Sequence, residues 1–335
     1  MNEVILPIAP PEVDGYQFYA LPLAILANYD ESKSWIYSNF IQTCFDKKLI
    51  DSPVPFCFYM YDPAICPWLK YLHFDRDIFL AFNQDIVTFI IESLNREYYI
   101  YLNIDEYFIP ERKAYQRYNS SHDILVYGYN LGEEVFLTLG YNNENQLKTT
   151  KVPFQLFLQA FINLDNIINY CTQINLYKFQ KNSQYHFNLK LVIETLEDYL
   201  FSQNTSERFS MLREPWDRAY GMEGYQYFRQ YISLMNDNNS PLVRDMHVLW
   251  EHKKLMTSRI KYMELNGYLS PLNSFSDKFS KIETMAMHIR NKALYYSIKK
   301  DPVVLDNITK LIDQLAHDEY LQLENLLKHL KMNTV

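Results

Sequence analysis

The stretch best equipped for chemistry lies between two runs of β-forming residues in the first half of the chain. His122 opens the second run and follows a loop that starts with Asp105, Glu106 and Tyr107. A histidine at the start of a strand can face a cleft, and its neighbour Asp123 should then point to the opposite side, because side chains alternate along a strand. This position suits a general base, with Asp105 orienting the imidazole or a substrate amine. The competing interpretation is a structural histidine, since a single histidine lacks the other members of a triad.

Tyr107 is the tyrosine that we separate from the many others in this region. Tyrosines on strands usually pack the sheet, with their hydroxyl groups reaching water at its edge. Tyr107 instead lies in the loop between the two strands, beside the expected cleft. We therefore assign Tyr107 to substrate binding.

The chain has four cysteines, and their spacing matches neither a zinc framework nor the density of a disulfide-stapled secreted domain. A reducing cytosol suits such thiols. Cys66 lies in a proline-rich loop, and we expect Cys44 on an apolar helix face and Cys171 near a helix end. A buried structural thiol is the expected role of each.

A second group of histidines in the C-terminal half invites a metal interpretation. His247, Glu251 and His252 have the spacing H-x-x-x-E-H, whereas metalloprotease helices use H-E-x-x-H or H-x-x-E-H. Five residues of helix rotate the second histidine roughly 140° away from the first, so one metal cannot readily take both. We expect His247 and Glu251 to form a surface hydrogen-bonded pair and Lys253 and Lys254 to be solvated, with no metal bound.

Composition excludes several classes of function. A net charge of -8, without a run of five like charges, offers no surface that would neutralise a phosphate backbone, so no nucleic-acid partner is expected. Only seven glycines are present and neither phosphate-loop fingerprint occurs, so we expect no cofactor. No apolar run reaches the roughly 20 residues of a membrane span, and the first eleven residues lack a basic signal-peptide region. A soluble, cytoplasmic protein is expected.

The period of the apolar residues changes along the chain. Segments 97–104, 123–129 and 134–139 are short β-branched and aromatic runs, which predict three strands with a hairpin. A polar stretch at 180–184 separates an α+β half, 1–178, from a helical half, 179–335. The spacing predicts helices over 19–27, from 34, over 77–95, 154–168, 189–201, 220–234, 243–265, 274–297 and 302–330. The buried stripe of the last helix should comprise Leu311, Leu315, Leu323, Leu326 and Leu327.

The loop D-E-Y-F-I-P, followed by S-H-D-I-L-V-Y-G-Y-N, resembles the butirosin biosynthesis protein H family. The N-terminal domain of that family is similar to papain-like and bacteriocin-processing cysteine peptidases. Two segments of the C-terminal half, W-D-R-A-Y-G-M-E-G-Y and R-D-M-H-V-L-W-E-H-K-K-L-M, look like the helical segment of relatives encoded with nonribosomal peptide synthetases. The resemblance implies a papain-like α+β domain with antiparallel strands, followed by an all-α bundle.

The resemblance also implies acyl chemistry, in which a cysteine at the start of the first helix is paired with a histidine on a later strand. His122 matches the histidine, and Asn142 or Asn143, of which we select Asn142, is the candidate for the third member after the next strand. Residues 15–22, G-Y-Q-F-Y-A-L-P, contain no cysteine and no serine, so the nucleophile does not match. With Tyr107, we assign Tyr19 and Glu106 to substrate binding.

Two functions follow from this pattern. The first is an accessory acyltransferase or hydrolase of nonribosomal peptide or antibiotic biosynthesis, which acts on a carrier-bound acyl or peptidyl thioester with His122 as base. The second is a non-catalytic protein of the same fold, which lost its nucleophile and binds its partner through the former active-site cleft. The expected partners are an acyl or peptidyl carrier protein or its synthetase, and a small amine or peptide. A homodimer is left open.

Overall fold

The structure is a computed structural model that describes residues 2–59, 65–209, 214–234 and 242–332. It is 53% helical and contains an antiparallel sheet of seven strands, which confirms an α+β chain with a helical C-terminal region. The described residues form two compact units. The first unit comprises residues 2–32 and 65–185, and the second comprises 33–59 and the described residues from 186 onward.

The strands are β1 (Glu3–Ile5), β2 (Thr43–Phe45), β3 (Phe56–Phe58), β4 (Leu69–Asp75), β5 (Tyr99–Asp105), β6 (Ser121–Asn130), β7 (Val135–Tyr141), β8 (Leu147–Pro153), β9 (Gln173–Phe179) and β10 (Ala219–Tyr220). The helices are α1 (Gln17–Leu26), α2 (Lys33–Asn39), α3 (Arg76–Ala81), α4 (Ile86–Asn95), α5 (Phe154–Ile162), α6 (Leu189–Leu200), α7 (Gly224–Ser233), α8 (Leu242–Leu265), α9 (Phe275–Lys299) and α10 (Pro302–Met332). Within the described ranges, no helix combines the length and apolar character that crossing a bilayer requires.

The sheet of the first unit has the strand order β4-β9-β5-β6-β7-β8, with β1 paired to β6, and every pairing is antiparallel. The three predicted strands are β5, β6 and β7, and the turn after β6 is closed by Glu133 N donating to Asn130 Oδ1 at 2.9 Å. Sequence patterning missed β8, L-K-T-T-K-V-P, because polar residues dominate this edge strand.

Helix α1 begins at Gln17, two residues before the predicted start at Tyr19. Pro22 consequently lies inside the helix, where it removes one backbone hydrogen bond, and not in the first turn as expected. The predicted helix over 77–95 is interrupted between α3 and α4. Asn83 adopts a positive φ of 50°, and the side chain of Asp85 caps α4 by accepting from Thr88 N at 2.8 Å.

The second unit contains α2, helices α6 to α10, and a small sheet in the order β10-β2-β3. The predicted C-terminal helices are therefore present. The unit also includes residues 33–59, which sequence patterning places in the N-terminal half, because β2 pairs with β10. Its boundary with the first unit follows residue 185 rather than residue 178. Local periodicity could not show this, since strand pairing joins segments far apart in sequence.

Candidate functional site

The first residue of α1 lies against the start of β6. The side chain of Gln17 is buried, and its Nε2 is hydrogen-bonded to His122 Nδ1 and donates to Asp123 Oδ1 at 2.5 Å. Its Oε1 accepts from the backbone N–H of Tyr141, at the end of β7, at 3.2 Å. One glutamine thus ties the N-terminus of α1 to two neighbouring strands of the sheet. Sequence analysis missed Gln17.

Asp123 contacts His122, although alternation along the strand predicts that the two side chains point to opposite sides. His122 Nδ1 lies 2.8 Å from Asp123 Oδ1, and the hydroxyl group of Tyr101 donates to Asp123 Oδ2 at 2.6 Å. Gln17, His122 and Tyr101 thus surround the Asp123 carboxylate at the beginning of the strand. Burial opposes ionisation of Asp123, but the hydrogen bond and charge of His122 and the hydrogen bond of Tyr101 outweigh it and lower the pKa of Asp123.

The imidazole of His122 remains accessible, with 47% of its side chain exposed. Burial opposes protonation, but the hydrogen bond and charge of Asp123, with the charge of Glu106, outweigh it and raise the pKa of His122. When the ring is neutral, Nδ1 accepts from Gln17, and when it is protonated, Nδ1–H can donate to Asp123. Both arrangements orient the ring through Nδ1 and leave Nε2 as the atom for a ligand.

Glu106 and Tyr107 both follow β5 on a short 3₁₀ turn. Burial raises the pKa of Glu106, although the positive charge of His122 acts in the opposite direction. Tyr107 packs its ring edge-on against Phe108, with ring centroids 5.0 Å apart. Glu106 therefore interacts electrostatically with His122. The substrate-binding roles of Glu106 and Tyr107 stay predictions.

Asp105 is fully buried, and its carboxylate holds the loop that follows β5. Its oxygens accept from Tyr107 N (3.0 Å), Ser120 N (2.9 Å), Asn119 Nδ2 (2.6 Å) and Asn163 Nδ2 (2.6 Å). Four donors engage both oxygens, so the side chain anchors the two ends of the loop. Asp123, and not Asp105, is the carboxylate that contacts His122.

The two remaining predicted site residues have local contacts of their own. Asn142 Oδ1 accepts from Glu144 N at 3.0 Å and from Gln146 N at 2.9 Å, which closes the turn between β7 and β8. Tyr19 is buried in α1, with its ring centroid 4.4 Å from that of Phe18. A catalytic role for Asn142 and a substrate contact for Tyr19 stay predictions.

Arg112 and Gly140 form a second feature beside Tyr141 that sequence analysis did not identify as a pair. Arg112 is buried, and its Nη1 donates to the carbonyl of Tyr141. A Cβ added to Gly140 would lie 2.7 Å from Arg112 Nη1 and 2.8 Å from its Cζ, so the guanidinium would have to shift to admit any larger residue. Burial lowers the pKa of Arg112, while the charges of Glu106 and Asp123 act against that shift. A glycine within a strand was the available signal for this close approach.

The two cysteines of the first unit, Cys66 and Cys171, have hydrogen-bond partners close to them in sequence. Burial raises the pKa of Cys66 to about 12, although hydrogen bonds from Trp68 and Leu69 act in the opposite direction. The backbone N–H of Cys171 donates to Asn169 Oδ1 at 3.2 Å. Neither cysteine contacts His122 among the residues that the structure describes, which agrees with the absence of a nucleophile at the head of α1.

In the second unit, the expected pair of His247 and Glu251 exists, but it is not on the surface. His247 Nε2 lies 3.2 Å from Glu251 Oε1, and the Glu251 side chain is only 1% exposed. Arg290 Nε donates to His247 Nδ1 at 2.8 Å. His252 is buried and its Nε2 lies 2.7 Å from the carbonyl oxygen of Ile41. The two histidines thus have separate partners.

Lys253 is not solvated as expected. Its side chain and that of Glu319 are both 0% exposed, and Nζ lies 2.7 Å from Glu319 Oε1 and donates to the hydroxyl oxygen of Tyr199 at 2.8 Å. The hydroxyl of Tyr225 donates to Glu319 Oε2 at 2.6 Å. Burial lowers the pKa of Lys253 against the opposing effect of Glu319. Only Lys254 is partly exposed, with its ammonium over the ring of Trp250.

Comparison with known proteins adds no relative to these observations. No protein-family model and no curated protein matches the chain. The arrangement of Gln17, His122 and Asp123 is therefore the observation on which a functional assignment has to be built.

Proposed function

We propose that the chain is a non-catalytic binding protein on a papain-like scaffold, a pseudoenzyme of nonribosomal peptide or antibiotic biosynthesis. In this proposal it recognises an acyl or peptidyl group held as a thioester on a carrier protein, together with a small amine or a peptide. The observation that carries the proposal is the identity of the first residue of α1. Gln17 stands beside His122, where the resemblance implies a cysteine.

A glutamine at this position argues against a covalent acyl-enzyme. A carboxamide is not a nucleophile, and attack on a thioester requires a thiolate, an activated hydroxyl or an amine. The amide of Gln17 also takes the hydrogen-bonding position at His122 Nδ1 that a nucleophile's proton would need. The side chain of Gln17 can therefore orient His122, but it cannot form a covalent intermediate.

The same arrangement favours binding of a polar acyl group. With its pKa raised, the half-exposed imidazole of His122 presents a charged N–H donor at Nε2 over a wider pH range than an ordinary histidine. Such a donor suits the carbonyl oxygen of a thioester or peptide. Glu106, whose pKa burial raises, would be the partner for an amine.

A second candidate function is direct aminolysis, which the pairing of His122 with Asp123 favours. In this reaction an amine attacks the carrier-bound thioester, and His122 Nε2 accepts the amine's proton as the new C–N bond forms. The C–S bond then breaks, and the carrier thiolate leaves and takes up that proton from His122. No acyl-enzyme is needed. This candidate and the binding role differ in whether an amide product accumulates.

The distinguishing experiment uses acylated carrier proteins and candidate amines, with binding measured by calorimetry and products by intact mass. We expect binding that His122→Ala weakens, no acyl adduct on the protein and no amide product. His73→Ala is the matched control, because His73 is an exposed histidine of the same unit on β4. An amide product that falls by roughly 10²–10⁴-fold in His122→Ala would establish aminolysis instead. A stable acyl adduct would overturn both.

The variant Gln17→Cys tests whether this position is that of the missing nucleophile. A thiol at the head of α1 and next to His122 should have a lowered pKa and react with iodoacetamide faster than Cys66. Acyl transfer from a thioester to the new thiol, detected by mass, would support the papain-like assignment. If the new thiol reacts with iodoacetamide no faster than the native thiols, the papain-like assignment is contradicted. If the protein binds no acylated carrier protein, the proposed carrier-protein partner is contradicted. Cytoplasmic location and a homodimer stay predictions.

A further inference from the structure

A pair of cysteines in the second unit lies across the small sheet. Cys44 was expected on a helix face, but it lies on β2, directly opposite Cys57 on β3. The Sγ atoms are 3.6 Å apart, and both cysteines are in the reduced form. Their placement depends on the pairing of the two strands, which is why the sequence spacing did not indicate it.

The backbone of this pair permits a covalent bond. On either side of it, Asp46 N donates to the carbonyl of Pro55 at 2.7 Å and Tyr59 N donates to the carbonyl of Gln42 at 2.8 Å. Hydrogen-bonded pairs recur at every second residue of an antiparallel ladder, so Cys44 and Cys57 also occupy such a pair. The Cα separation of a hydrogen-bonded pair is about 5.5 Å, within the range of roughly 4.4–6.8 Å that disulfides span.

The two thiols differ in accessibility. Cys44 is 2% exposed, whereas Cys57 is half-buried. The hydrogen bond with Cys57, with burial next, raises the pKa of Cys44 well above that of an ordinary thiol. Cys57 is therefore the thiol that a small oxidant reaches first. The buried Cys44 lies beside it and can then react with the oxidised Cys57.

We propose that Cys44 and Cys57 form a reversible dithiol–disulfide site, whose co-reactant is a low-molecular-weight disulfide of the glutathione class. This proposal is independent of the function proposed for the first unit. The sulfur atoms need to approach by about 1.6 Å to reach bonding distance, a movement of the size that side-chain rotation provides. The strand pairing holds both residues in place during the reaction.

The reaction proceeds by two exchanges. The thiolate of Cys57 attacks one sulfur of the glutathione disulfide, an S–S bond forms to the protein, and one glutathione thiolate leaves and takes up a proton. The thiolate of Cys44 then attacks Cys57 Sγ, which forms the intramolecular bond and releases a second glutathione. The protein loses two electrons and two protons, and one glutathione disulfide becomes two glutathione molecules.

The test is equilibration of the native chain in buffers of graded reduced-to-oxidised glutathione ratio. After acid quenching and alkylation of the remaining thiols, peptide mass analysis identifies each cysteine. We expect a cross-linked pair of peptides containing Cys44 and Cys57, lighter by two hydrogens, which a reducing buffer converts back to two alkylatable thiols. Cys66→Ser is the control and should leave this cross-link unchanged.

Two variants separate the order of the steps. Cys44→Ser should accumulate a mixed disulfide of glutathione at Cys57, because the second thiol is missing. Cys57→Ser should leave Cys44 largely unmodified, because Cys44 is buried. Two free thiols at every buffer ratio in the native chain, or a cross-link that appears only after denaturation, would overturn the proposal.

Discussion

The ammonium group of Lys253 lies 2.7 Å from the carboxylate of Glu319, and neither side chain is exposed to solvent. Two tyrosine hydroxyls, from Tyr199 and Tyr225, are hydrogen-bonded to the pair, and His252 Nδ1 lies 3.0 Å from Lys253 Nζ. Removal of two charges from water is costly, and attraction between them compensates only when the geometry is good and the remaining hydrogen bonds are made. Loss of one partner therefore leaves an uncompensated charge inside the second unit.

Replacement of Glu319 by Gln should strongly destabilise the protein. The variant keeps the shape of the side chain but leaves the Lys253 ammonium buried without a counter-charge, so we expect a loss of about 3–5 kcal/mol in the free energy of unfolding. Urea unfolding followed by circular dichroism measures this. The control is Glu324→Gln on the same helix, which breaks an exposed ion pair with Lys328 and should cost about 0.5 kcal/mol or less.

The double variant Lys253→Met with Glu319→Leu tests the cause of that loss. Both charges are then absent, so most of the stability lost in Glu319→Gln should return. If the single variant unfolds at the same urea concentration as Glu324→Gln, the ion pair does not contribute as we expect.

Gly140→Ala should destabilise the first unit by steric conflict with Arg112. The added Cβ would overlap the guanidinium, which is buried and bonded to the carbonyl of Tyr141, so we expect a cost of about 1–3 kcal/mol. Thermal unfolding measures the effect. Gly132→Ala is the matched control, because the nearest atom to its Cβ would be Asn130 Oδ1 at 3.4 Å. Equal effects of the two substitutions would argue against a role for Arg112.

Asp123→Asn should lower the pKa of His122. The hydrogen bond and charge of Asp123 are the main influences that raise this pKa against burial, and the variant removes the charge. A titration of the imidazole protons by nuclear magnetic resonance checks the shift. Glu92→Gln, which removes an exposed carboxylate, should leave the titration unchanged. An unaltered midpoint in Asp123→Asn would show that another group sets the pKa.

The His122–Asp123 pair should also make stability depend on pH. Because the pKa of His122 is raised in the folded protein, His122 contributes to the free energy of unfolding. This contribution is fully present below the unfolded-state pKa near 6.5 and is lost as the pH rises through the folded-state pKa. Because the pKa of Asp123 is lowered in the folded protein, its contribution to the free energy of unfolding is present above about pH 3.8, the unfolded-state pKa, and is lost as the pH falls through the folded-state pKa. The stability difference between wild type and Asp123→Asn should therefore be largest between these two values. A difference that keeps growing above neutral pH would contradict this assignment.

Iodoacetamide should label Cys66 slowly at neutral pH in the native protein. With a pKa of about 12, the thiolate fraction at pH 7 is on the order of 10⁻⁵, far below that of a free cysteine. Labelling in denaturant should be fast, because the thiol then recovers its ordinary pKa. The rates are measured by mass analysis of the Cys66 peptide, and equal rates in the two conditions would contradict the burial that raises the pKa.

Local sequence patterns determined much of the secondary structure. Strands β5, β6 and β7 and the helices from α6 to α10 follow from side-chain periodicity, because a face that must be buried repeats at the period of its own element. The buried leucine stripe of α10 also contains a signal that the sequence analysis did not use. Glu319 lies one helical turn from Leu315 and from Leu323, so an acidic residue falls on the apolar face.

Only the tertiary structure decided which distant residues meet. Gln17 and His122 are 105 positions apart, and Lys253 and Glu319 are 66 apart. Periodicity can indicate that a residue is buried, but it cannot identify the partner, because that depends on which strands pair and which helix faces pack together. The same reason applies to residues 33–59, whose assignment to the second unit follows from the pairing of β2 with β10. The sequence thus determined many of the elements and the presence of His122 at a strand start, and chain packing decided that a glutamine stands beside it.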